Sequence, residues 1–82
     1  MTYRIIMNGN GKFKIERKRG WIAGWFVLGQ YKNNEPYFGN WNEDALLFNS
    51  SEAACKALLE AQERDARERR EEQWSVVVEE KL

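Results

Sequence analysis

The chain has 82 residues, 43% of them hydrophobic and 13% aromatic, with 13 basic and 13 acidic side chains and no histidine. That length reads as one domain, residues 1–82, with a small core, and the apolar content excludes disorder throughout. Zero net charge argues against nonspecific nucleic-acid binding by the whole molecule, and the missing histidine removes the commonest general base and metal ligand.

In chain order, "TYRIIM" (Thr2–Met7) reads as a strand with Tyr3, Ile5 and Met7 on one face. "NGNG" (Asn8–Gly11) is a turn, because Asn and Gly tolerate positive φ. "KFKIERK" (Lys12–Lys18) then alternates, with Phe13 and Ile15 inward and Lys12, Lys14, Glu16 and Lys18 outward. Charge is unevenly placed: residues 1–20 hold Arg4, Lys12, Lys14, Arg17, Lys18 and Arg19 against Glu16 alone.

"GWIAGWFVLGQY" (Gly20–Tyr31) contains no charge and reads as a central strand of up to eleven residues. Trp21, Ala23, Trp25, Val27 and Tyr31 share one face, and Ile22, Phe26 and Leu28 the other. Gly24 and Gly29 fit a bulge or a close backbone approach. Both faces are apolar, so each needs a cover. "KNNEP" (Lys32–Pro36) is a turn, and residues 37–48 stay open between a fourth short strand, a loop and a helical turn.

A long helix follows. Ser50 or Ser51 is its N-cap, and Ala54, Leu58 and Ala61 form its apolar line, with Cys55, Leu59 and Gln62 beside it. Cys55 reads as a small buried core residue. From 63 to 73 the helix becomes a charged arm, with Glu60–Arg64, Glu63–Arg67 and Asp65–Arg69 at four-residue spacing. "WSVVVEE" (Trp74–Glu80) changes period and reads as an edge strand, returning to its own sheet or pairing with another molecule. The fold class is α+β: an antiparallel sheet of three to four strands, one long helix on one face, and a C-terminal edge strand.

No catalytic pattern is present. "GNGK" lacks the spacing of a phosphate-binding loop, no carboxylate pair marks a cleft, and the reading is non-enzymatic, without cofactor or metal. The N-terminal apolar run is too short for a signal peptide, and no stretch approaches the roughly 20 apolar residues of a membrane span, so the sequence reads as cytoplasmic. The leading expectation is a protein-interaction module, possible also as a homodimer, whose second strand face is covered by residues 37–48 or by a partner. Its contact residues are Trp21, Trp25 and Trp41, with Arg67 and Arg70 from the arm. The alternatives are single-stranded nucleic-acid binding by Arg4, Lys12, Lys14 and Lys18 beside tryptophan platforms, and a self-associating structural protein.

The layout also carries a resemblance. A start of "MTYRI", a "GKFKIERK" strand, a "WFVLGQY" strand and a "FNSSEAACKALLEAQ" helix together resemble small accessory proteins of bacteriophages and prophages. Phe48, Ser50, Glu52 and Ala53 match the entry into their helix. The resemblance spans residues 1–62 and implies binding to a host protein. It transfers no site residue and does not extend to the charged arm or to "WSVVVEE".

Overall fold

A computed structural model describes residues 1–21, 24–31, 35–40 and 44–80. The chain opens with a hairpin of β1 (Thr2–Met7) and β2 (Phe13–Lys18), paired antiparallel with Ile5 opposite Ile15. Its turn follows from Asn8. The Asn8 side chain accepts the amides of Asn10 and Lys12 at 2.9 and 3.0 Å, and Gly11 takes φ 75°. β3 (Trp25–Tyr31) and β4 (Glu35–Gly39) complete a four-stranded antiparallel sheet in sequence order. With the helix, the class is α+β as the sequence implies. β3 is shorter than its apolar run: Gly20 adopts φ 65°, and Trp21 sits in the turn rather than in the strand.

β2 and β3 pair only over Glu16–Lys18 and Trp25–Val27. Beyond that point they diverge, and residues 45–48 fill the gap. Phe48 exchanges both backbone hydrogen bonds with Phe13 at 2.8 and 2.9 Å, and the Leu46 amide donates to the Leu28 carbonyl at 3.0 Å. Gly29 pairs with Tyr37 on one side and Ala45 on the other. "DALLF" is therefore an insert between two strands. It satisfies backbone groups that would otherwise be orphaned, and it is not a flap over the second face.

Helix α1 (Ser51–Glu72) starts at Ser50, whose hydroxyl accepts the Ala53 amide at 3.1 Å. It packs on β1 and β2, running antiparallel to β1: its start lies beside Lys12 and Phe13, and Asp65 reaches Tyr3. The core consists of Ile15, Val27, Leu28, Ala54 and Ala61. Burying each of the three larger side chains stabilises the fold by about 1.5–3 kcal/mol. Cys55 is exposed, contrary to its expected place in the core. The buried line runs Ala54, Ala61, Asp65, and Cys55 lies about 100° around the helix from it.

The C-terminal edge strand is the second correction. Gln73 turns to extended backbone, and residues 73–80 belong to no element and pair with no strand among the described residues. The cause is geometric. Asp65 already lies at the end of the sheet, so residues 66–72 carry the chain about 10 Å beyond it. No Gly or Pro then reverses its direction. The molecule is accordingly 66 Å long but only 28 and 22 Å across.

Candidate functional site

Cross-strand register assigns the faces. Tyr3, Ile5, Phe13, Ile15, Arg17, Phe26, Leu28 and Phe38 face the helix. Arg4, Ile6, Lys14, Glu16, Lys18, Trp25 and Val27 occupy the opposite face. Among the described residues, each face holds one buried carboxylate.

On the helix side, Asp65 is 5% exposed. Arg17 Nη1 binds its Oδ1 at 2.8 Å, and the Tyr3 hydroxyl donates to Oδ2 at 2.5 Å. The expected Asp65–Arg69 pair does not form. Arg69 Nε instead donates to the Asp65 carbonyl at 3.4 Å. The Arg17 guanidinium also lies 4.4 Å from the centre of the Phe38 ring, while its Nε is buried without a hydrogen-bond partner among the described residues. Burial first, then the hydrogen bond to Asp65 and its charge, push the Tyr3 phenol up to about 12. The arrangement is a clamp between helix and hairpin. The sequence did hold its signal: Asp65 continues the 54–58–61 line, and Arg17 continues the inward alternation of Phe13 and Ile15.

On the opposite face, Glu16 is also 5% exposed, although its position in the alternation points outward. Arg4 closes on it at 2.6 Å and Lys14 at 3.5 Å. The Arg4 guanidinium lies 3.8 Å from the centre of the Trp25 ring, and Lys18 Nζ lies 5.8 Å from it. The structure thus brings together Arg4, Lys14, Lys18 and Trp25, but it spends two of the three cations on Glu16. Lys12 stands apart at the turn, donating to Asn49 Oδ1.

The remaining predicted contacts are scattered. Trp21 is 85% exposed at the β2–β3 turn. Arg67 and Arg70 are exposed on the helix, across the sheet from Trp25. Trp41 lies outside the described residues.

Among the described residues, the largest fractional apolar exposure lies in the C-terminal segment, outside the expected contacts. Trp74, Val76, Val77 and Val78 are 91, 79, 90 and 77% exposed. They lie within residues 74–78, just after the helix, in a stretch without secondary structure. Scattered single apolar residues are normal on a surface, whereas these four lie close together in the chain. No helix of the described residues is long and apolar enough to cross a membrane. No protein-family model, curated protein or solved structure matches the chain.

Proposed function

We propose that this protein is a small, non-enzymatic protein-interaction module that engages its partner through the β-prone segment Trp74–Val78. The observation that carries this reading is the exposure of four large apolar side chains in one β-prone run beside a sheet with free edges. An extended segment of this composition binds by adding a strand, with backbone hydrogen bonds giving affinity and alternate side chains giving specificity. Trp21, exposed at its turn, and Arg67 and Arg70 on the helix are secondary contacts. The resemblance to phage accessory proteins supports a host protein as one class of partner, and the self-associating reading supports a second copy.

The nucleic-acid reading is weaker on this geometry. Arg4 and Lys14 are paired with Glu16, and Arg4 also covers the Trp25 ring on which a base would stack. The test compares the intact chain with Trp74→Ser/Val77→Asp. Tail-dependent capture of a protein, whether this chain or another, is expected, with negligible oligonucleotide retention at physiological salt. Equal protein capture by both chains, or none by either, would sink the proposal.

A further inference from the structure

We infer that the tail Trp74–Glu80 of one copy pairs with the free edge of β1 in a second copy. This rests on the interaction-module reading and names its partner. Among the described residues the sheet has two edges, β1 and β4. β4 is a poor acceptor, because it carries Pro36, and a proline in an edge strand turns its nitrogen to the free side, where no N–H is offered. β1 holds no proline.

The register shows which β1 groups are available. The Asn8 amide bonds the Lys12 carbonyl at 2.8 Å, and hydrogen-bonded pairs alternate along an antiparallel ladder. Thr2, Arg4 and Ile6 therefore bond inward to β2, and the backbone groups of Tyr3, Ile5 and Met7 point outward. The same alternation turns the Phe13 backbone toward Phe48, as observed. A charged side chain over the edge would block addition, but Arg4 is drawn across the sheet face by Glu16 and Trp25.

Length and charge fit as well. The seven tail residues span about 23 Å and the six of β1 about 20 Å. Residues 71–80 carry Glu71, Glu72, Glu79 and Glu80 and no cation, whereas the β1–β2 hairpin is basic. In its own chain the tail leads away from β1, so the acceptor is another copy's β1.

The experiment uses the full chain and Val77→Pro, a change at a 90% exposed position that leaves the core untouched. Light scattering gives the mass over a dilution series, and amide exchange is read residue by residue. The intact chain is expected to have twice the monomer mass at high concentration, with protected amides at Tyr3, Ile5 and Met7. Val77→Pro is expected to halve the mass and speed exchange at those three amides by roughly tenfold or more. Arg4 and Ile6 amides stay protected in both chains and report an intact hairpin. A dimer with unprotected Tyr3, Ile5 and Met7, or a monomer in which they are protected, overturns the inference. Two equal monomers with tail-dependent capture of another protein overturn it while sparing the module reading. Two equal monomers without such capture end both.

Discussion

Asp65 and Glu16 make a natural pair for comparison. Each is a carboxylate only 5% exposed, each is bound by an arginine, and they lie on opposite sides of β2. They differ in what they hold. The Arg17 side chain opposite Asp65 is 12% exposed, whereas Arg4 opposite Glu16 is 43% exposed and Lys14 27%. The burial of the carboxylate is matched, but the burial of its partner is not. Removing one member of a fully buried pair strands a charge that water cannot reach, whereas a half-exposed cation rehydrates. The helix side therefore carries the structural ion pair, and the opposite face carries an adaptable one.

The largest expected effect follows directly. Asp65→Ala leaves the Arg17 guanidinium buried with its Nε already unpartnered, and should lower unfolding free energy by about 3–5 kcal/mol in urea titration. In a domain this small, that approaches loss of the fold. Glu16→Ala should cost only about 1–2 kcal/mol, because Arg4 and Lys14 turn to solvent. Equal losses for the two variants would break the comparison.

Arg4→Ala should cost about 1–2 kcal/mol, because the buried Glu16 carboxylate keeps only Lys14, and should change Trp25 fluorescence, since it removes the cation from that ring. Raising salt should shrink this loss while leaving that of Asp65→Ala nearly unchanged, because buried pairs are screened less. If salt acts equally on both, the assignment of the exposed pair is wrong.

A further effect, confined to high pH, sharpens the comparison. The Tyr3 phenol is raised from 10.0 to about 12 in the folded chain. The folded state therefore keeps a proton that the unfolded chain releases. The stability it contributes is full below about pH 10 and is lost as pH rises from about 10 toward 12. Tyr3→Phe should flatten the stability–pH curve in that window relative to the parent. A slope unchanged by the substitution would remove the hydrogen bond to Asp65 from the account.

Local chemistry made much of the scaffold readable. The Asn8–Gly11 turn, the alternation of Phe13 and Ile15, and the Ser50 cap each act over a few residues, and each appears where the sequence places it. The misreadings share a cause. Cys55 lies beside the helix stripe in sequence but turns to solvent, because the stripe is centred on Ala54, Ala61 and Asp65. The reading of Arg4 beside tryptophan platforms leaves the ring open, and only the sheet register, joining strands 21 positions apart, sets its guanidinium over Trp25.

The sequence by itself determined the hairpin, the apolar central strand, the helix with its cap, and the β-prone character of Trp74–Val78, because periodicity and turn chemistry are local. Tertiary structure alone decided which group Asp65 binds, since its partner Arg17 lies 48 positions away. It also placed residues 45–48 in the gap between β2 and β3, and carried the C-terminal segment past the sheet instead of into it. Which strand a segment can reach depends on the length and direction of the helix before it, and neither is a property of the segment itself.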